Sequence, residues 1–379
     1  MIQIITNTYK DKEHPYENGF IHSRVLEYIK NGHQTEVFVL NTKKEPREYT
    51  FEGVRVIVGN SKDLYEVLNK NNNSTICVHF LTRKITEVLN KITTPRNIVL
   101  FVHGVEALKW YERIFPGNFL DIHRCASFFK YIVSNLLTLP AIRKFLHGTN
   151  HKLYFITVSK WMKDKAEKNW KCKGKYKWEI IPNIINSEVF TYNQKNEDDV
   201  KKMLSIRPFT TGKYANDITV KCVENLLDTY KLKDLLITIV GKGPLYNKTV
   251  QPLVGKKNIR LENRFLNTSE IIEYHKNNGL FICPTRQDAQ GVSMCEAMSS
   301  GLVPITLYNT AIPEFLPNDE RLICRDVKDM EKLILYLNEN PLEFIELSDI
   351  CSNFIKNKCC YEETVKKEIE LFNKMENIK

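Results

Sequence analysis

Residues 281–316 read FICPTRQDAQGVSMCEAMSSGLVPITLYNTAIPEFL, and this stretch decides the fold. The apolar run Leu280, Phe281, Ile282, Cys283 is stopped by Pro284, as a buried strand would be. Polar residues lead to Gly291, after which Val292, Met294, Cys295, Ala297 and Met298 mark a short helix ended near Gly301. Val303 to Leu307 begins the next strand. The unit is strand, loop, helix, strand, with a glycine where the helix starts. Free backbone N–H groups and the positive end of the helix dipole suit that point to a phosphate. Two carboxylates frame it, Asp288 before the helix and Glu296 within it. Taken alone, Glu296 reads as a helix-face residue that caps or pairs, and Asp288 as a loop residue.

The segment as a whole resembles the donor-binding core of retaining, nucleotide-sugar-dependent glycosyltransferases of the glycosyl-transferase-group-one, glycogen-synthase-like type. Members carry two acids separated by seven residues, then a small-residue helix and a glycine. The resemblance implies that Glu296 holds the ribose hydroxyls and that Asp288 lies beside the transferred sugar. Asp288 departs from the usual Glu. It further implies donor contacts at Gly291, Val292 and Ser293, and an acid at Glu314. The two glycines usual before that acid are Thr310 and Ala311 here.

Arg207 and Lys213, in RPFTTGKYANDI, stand where the resembled family places two cations on the donor diphosphate. The pairing is chemically apt, because negative charge grows on the leaving phosphate as the glycosidic bond breaks. Arg can bridge two oxygens, whereas Lys acts as a point charge. Alone, the two would read as solvated surface. The Gly241–Gly243 turn is expected to line the nucleobase pocket through its backbone. His103, in VHGVE at a strand end, matches a histidine that touches the sugar from the acceptor side; alone it reads as a structural histidine. Glu106 reads as a helix N-terminal acid. Gly19, after the first strand, would let that loop close near the diphosphate. Ser159 reads as a helix cap.

The chain has 379 residues, enough for two domains with separate cores. Hydrophobic content of 42% and charged content of 26% are those of a globular protein. No apolar run reaches the roughly 18–20 residues of a membrane span. The opening MIQIIT lacks the basic leader of a signal peptide. Ten cysteines without a CxxC pair fit thiols in a reducing compartment, so a cytoplasmic location is expected.

Strands alternate with helices throughout, which argues parallel sheets covered on both faces. Strands are expected at Ile2–Thr6, Thr35–Leu40, Val54–Val58, Thr75–Phe80, Asn97–Val102 and Leu153–Val158, with an irregular loop through His14, Pro15, Glu17, Asn18 and Gly19. The fold class is α/β, and the resemblance implies GT-B, two Rossmann-like doubly wound domains facing a cleft. The expected division is an acceptor-side domain over 1–181, a linker over 182–198 and a donor domain over 199–355. A C-terminal helix over 356–379 would cross back to the first domain.

Net charge is +10, and the stretch 119–178 carries all of it, with thirteen Lys and Arg against three Asp and Glu. Two readings stand for this stretch and its apolar spacing at Ile122, Phe129, Ile132, Val133 and Leu136. One is a surface for an anionic membrane; the other is a pair of core helices with solvated lysines. No nucleic-acid motif accompanies the charge.

There is no GxxxxGK[ST], HExxH or GxSxG. No Asp-x-Asp lies near a strand end, so neither a metal nor another cofactor is expected. The resemblance implies a metal-independent transferase that takes a nucleoside diphosphate sugar, UDP-sugar favoured, and passes it to a glycan or lipid-linked acceptor. A bacterial surface polysaccharide is the expected product. A nucleotide-sugar epimerase of the same fold and a non-catalytic partner in glycan assembly are the alternatives.

Overall fold

Runs such as Ile2–Thr6 and Thr75–His79, buried at every position, form strands covered on both faces, as parallel sheets require. The computed structural model describes residues 1–13, 18–41, 45–118 and 122–376. The loop positions His14, Pro15 and Glu17, and the opening of the basic stretch at 119–121, lie outside the described residues.

The chain divides into two compact units. The first comprises Met1–Arg113, Phe129–Ile184 and Tyr361–Lys379; the second comprises Ile114–Phe128 and Ile185–Cys360. The first unit holds β1 (Ile2–Thr6), β2 (Thr35–Leu40), β3 (Arg47–Phe51), β4 (Val54–Gly59), β5 (Thr75–His79), β6 (Asn97–Val102), β7 (Lys152–Thr157) and β8 (Trp178–Ile180). Their order is β3-β4-β2-β1-β5-β6-β7-β8, parallel except where β3 pairs with β4. The second unit holds β9 (Lys202–Ile206), β10 (Leu236–Val240), β11 (Ile259–Glu262), β12 (Leu280–Ile282) and β13 (Val303–Ile305). They form a parallel sheet in the order β11-β10-β9-β12-β13.

The bounds differ from those read in the sequence. Of the residues expected as a linker, 182–184 belong to the first unit and 185–198 to the second, where Phe190 is buried and its carbonyl accepts from Ser299 Oγ at 2.7 Å. Lys356–Lys358 end the helix Pro341–Lys358 rather than starting the last one. The last helix, Val365–Glu376, completes the core of the first unit. Its Phe372 ring lies 5.1 Å from that of Tyr28 on the helix Gly19–Lys30, and Val365 and Met375 are buried in the same cluster. Glu368 is fully buried and bonds both Arg24, at 2.9 Å, and the Tyr28 hydroxyl.

The stretch read as a pair of core helices is one helix, Ile122–Gly148, with Pro140 inside it. An 18-residue window within it has mean hydropathy 1.3, long and apolar enough by length and composition to cross a membrane, which corrects the reading that no such run exists. Its inner side is nonetheless fixed. Asn135 donates to Leu108 O and accepts from Trp110 N, both at 2.9 Å, and Leu139, Ile142, Phe145 and Leu146 are buried.

Candidate active site

The loop after β9 delivers two cations. The Arg207 N–H donates to Val240 O at 3.1 Å, which continues the strand direction into the loop. Its guanidinium is almost wholly buried; Nη1 donates to Ser293 Oγ at 2.8 Å and Nη2 stands 3.8 Å from Asp288 Oδ2. Nε is buried without a hydrogen-bond partner among the described residues. Lys213 sits in a short turn, Gly212–Tyr214, started by Thr211, whose Oγ1 accepts from Lys213 N at 3.0 Å. One ring backs both cations: Tyr214 has Arg207 Cζ at 5.1 Å and Lys213 Nζ at 5.0 Å from its centroid. The negative face of an aromatic ring attracts cations and so steadies both groups.

These cations meet the start of the helix Val292–Ser299. Gly291 at its N-cap has φ 78° and ψ 53°, a left-handed conformation that glycine adopts at little cost. The N-cap residue supplies no side-chain bond to the helix. Just upstream, Asp288 Oδ1 accepts from the N–H groups of Ala289, Gln290 and Gly291 at 2.9, 3.4 and 3.1 Å. One oxygen of this carboxylate therefore shapes the loop, while the other faces Arg207. Burial pushes its pKa up, but Lys213, Arg207 and the backbone N–H groups outweigh burial and hold it below the ordinary carboxylate value.

Glu296 stands on the same helix, three residues after Ser293 and hence on the same face. Among the described residues nothing bonds or pairs with its carboxyl, and burial alone raises its pKa to about 7. It is a carboxyl on the helix face that Ser293 shares. Val292 and Ser293 are half-buried beside it.

Gly241 and Gly243 have a packing duty. A Cβ at Gly241 would lie 1.9 Å from Arg207 O, and one at Gly243 would lie 2.4 Å from Phe209 C. Any side chain there would displace the loop that carries Arg207. Glu314 lies half-buried in the turn Ile312–Phe315. Ahead of it, Thr310 takes the left-handed φ of 51° that a glycine would fill more easily. Its hydroxyl accepts from Asp288 N at 3.2 Å, so the turn and the Asp288 loop are joined.

In the first unit, His103 follows β6 and His79 ends the neighbouring β5. The two rings stack 5.1 Å apart, with His103 Nε2 and His79 Nδ1 at 2.9 Å. Phe20 and Phe80 crowd the His103 ring at 4.9 and 4.7 Å. Burial, then the charge of Arg24, lowers the His103 pKa to about 3, so the ring is neutral. Glu106 does not begin a helix. Its two oxygens accept from His103 N and Gly104 N at 2.6 and 3.1 Å and hold the strand-end turn. Gly19 is the first residue of the helix Gly19–Lys30, not part of a loop, and a Cβ there would meet only the end of Lys10.

No curated protein sequence matches the chain. Residues 207–340 match the family described as Glycosyl transferases group 1. That match lies within the second unit.

Similarity to solved structures extends over the whole chain. Sucrose-phosphate synthase from Thermosynechococcus elongatus aligns over 100% of both chains at 12% identity, with a TM-score of 0.75. HepE from Anabaena, solved with UDP and glucose, aligns over 99% of this chain and 100% of its own at 9% identity and TM-score 0.68. A glycosyltransferase from Rickettsia africae aligns over 98% of each chain at 15% identity and TM-score 0.67. At such identities the likeness concerns the fold, which is GT-B.

Arg207, Lys213, Gly241, Gly243, Asp288, Gly291, Val292, Ser293, Glu296 and Glu314 all fall inside the group 1 match; His103 and Gly19 lie outside it. Tyr214, His79 and the Thr310 hydroxyl escaped the sequence reading. Tyr214 directly follows Lys213, and the two histidines end adjacent strands. These were the available signals.

Proposed function

We propose that this protein is a retaining glycosyltransferase that moves a sugar from a nucleoside diphosphate donor, UDP-sugar favoured, to a growing glycan or its lipid-linked precursor in the cytoplasm. A bacterial surface polysaccharide is the proposed product. The observation that carries this reading is the convergence of Arg207 and Lys213 on Asp288 and Ser293 at the start of the helix that also bears Glu296, a carboxyl without a protein partner among the described residues, within the group 1 match.

In this reading the diphosphate lies against Arg207, Lys213, Ser293 and the first N–H groups of Val292–Ser299. Glu296 accepts the ribose hydroxyls. As the bond from the anomeric carbon to the phosphate oxygen breaks, the two cations stabilise the charge left on that oxygen. The acceptor hydroxyl attacks from the same face, and its proton passes to the leaving phosphate, so no separate base is required. Within the first unit, neutral His103 uses Nε2 on His79.

Calorimetric titration with UDP, GDP, ADP and CDP in the presence of EDTA tests the donor half. One nucleotide should bind, and Glu296→Gln should abolish that binding. Absence of binding by all four removes the donor site. Retention is tested separately, by the anomeric configuration of the product in an NMR time course, and metal independence by turnover in EDTA.

A further inference from the structure

The helix Ile122–Gly148 carries an apolar stripe on its outer side. In the part that belongs to the first unit, Phe129 (65%), Val133 (43%), Leu136 (56%) and Leu137 (49%) are exposed, and Pro140 is exposed one turn on. At 3.6 residues per turn and 1.5 Å per residue these positions fall on one face over about 17 Å. A helix covering a soluble fold turns its apolar face inward and its polar face outward. Here the inner face is already occupied, by Asn135 bonded to Leu108 and Trp110 and by buried Leu139, Ile142 and Phe145. The outer apolar face is thus a second one, unneeded for packing. The inner contacts also prevent the helix from crossing a bilayer without opening the core of its own unit.

Charge selects the occupant. Lys130 and Lys144 are exposed on the same helix, as is His147, whose Nδ1 is 3.4 Å from Lys175 Nζ. The surrounding stretch 119–178 carries thirteen Lys and Arg against three Asp and Glu. A second copy would set this basic rim against itself across a symmetric interface. Anionic headgroups complement it. We infer that the stripe Phe129–Pro140 docks into the interfacial layer of an anionic lipid bilayer. The helix lies in the membrane plane, its apolar residues reach the acyl boundary, and Lys130, Lys144 and Lys175 meet lipid phosphates. This inference stands apart from the transferase reading, since it concerns a different face and no donor residue.

The test is co-sedimentation of the full chain with vesicles of phosphatidylcholine alone and of phosphatidylcholine mixed with phosphatidylglycerol. The parent protein should bind only the mixed vesicles and be released by high salt. V133E/L136E and K130E/K144E should each lower partitioning at least about tenfold. Because these positions are exposed, unfolding temperature and nucleotide binding should stay at parent values in both variants. No binding to mixed vesicles, equal binding to both vesicle types, or parent-level binding by V133E/L136E would each overturn the inference. A lipid-free dimer in light scattering, dissolved by V133E/L136E, would also overturn it by giving the stripe to a second copy.

Discussion

Glu296 costs the free protein stability, and the proposed function gives it the donor ribose to hold. Burial raises its carboxyl to about 7, against an ordinary value near 4.5. The folded protein therefore holds this proton over a range in which the unfolded chain has released it. Stability from this group is complete below the ordinary value and is lost as pH rises towards 7. Glu296→Gln should accordingly stabilise the free protein at pH 8 by on the order of 1–2 kcal/mol, after discounting partial solvent access, and change little at pH 4. The same variant should lose nucleotide affinity, and parent affinity should climb with pH through about 7 as the carboxylate forms. Thermal unfolding and titration across pH check both signs. A variant less stable than the parent at pH 8 would show a bonded, not a waiting, carboxylate. Asp288 behaves in the opposite way, because its depressed pKa adds stability that is lost only in acid. Asp288→Asn keeps an oxygen for the three loop N–H groups and should fold normally. Asp288→Ala should cost about 1–2 kcal/mol in denaturant unfolding, as loss of a helix cap does.

Among elements, those with a one-sided or fully apolar pattern were legible and those at margins were not. Ile2–Thr6 and Asn97–Val102 read directly as strands because parallel strands are apolar on both faces. Strand β3 was missed because Arg47–Phe51 is an exposed edge strand whose partly polar residues carry no buried stripe. In Ile122–Gly148 the apolar spacing fitted either a membrane surface or a pair of core helices, and the single helix with Pro140 inside it was not legible. The Asp288–Glu296 pair and the Arg207–Lys213 loop were legible as candidates only through the family resemblance, since alone they read as helix-face, loop and surface residues. The His79–His103 stack was not, since a strand-end histidine has a partner only once β5 and β6 are known to be neighbours. Helix ends hold a smaller prediction. Lys171, exposed, ends Lys160–Trp170 with φ 57° and ψ 43°, a left-handed cap better served by glycine. Lys171→Gly should raise stability by about 0.5–1 kcal/mol in denaturant unfolding. An unchanged or lower midpoint would mean that the lysine side chain contributes to the cap.

At the scale of the molecule, two sheets with separate cores imply two thermal transitions, each with its own handle. The handle of the first unit is Glu368, on a helix supplied by the end of the chain and bonded to Arg24 with both side chains almost fully buried. Removing one member of such a pair leaves a charge stranded in the core, at a cost of about 3–5 kcal/mol. Arg24 would keep Asn183 Oδ1, Phe20 O and Pro182 O, which accept its hydrogens but carry no compensating charge. The handle of the second unit is the proposed donor site, through which a bound nucleotide stabilises only the state that binds it. In scanning calorimetry Glu368→Gln should therefore lower one transition and leave the other in place. Saturating nucleotide should raise the transition that Glu368→Gln spares and leave the weakened one where it was. Movement of both transitions under either perturbation would show that the units unfold together. The nucleotide moving the same transition as Glu368→Gln would place the donor site in the first unit, against the assignment to Arg207, Lys213 and Glu296.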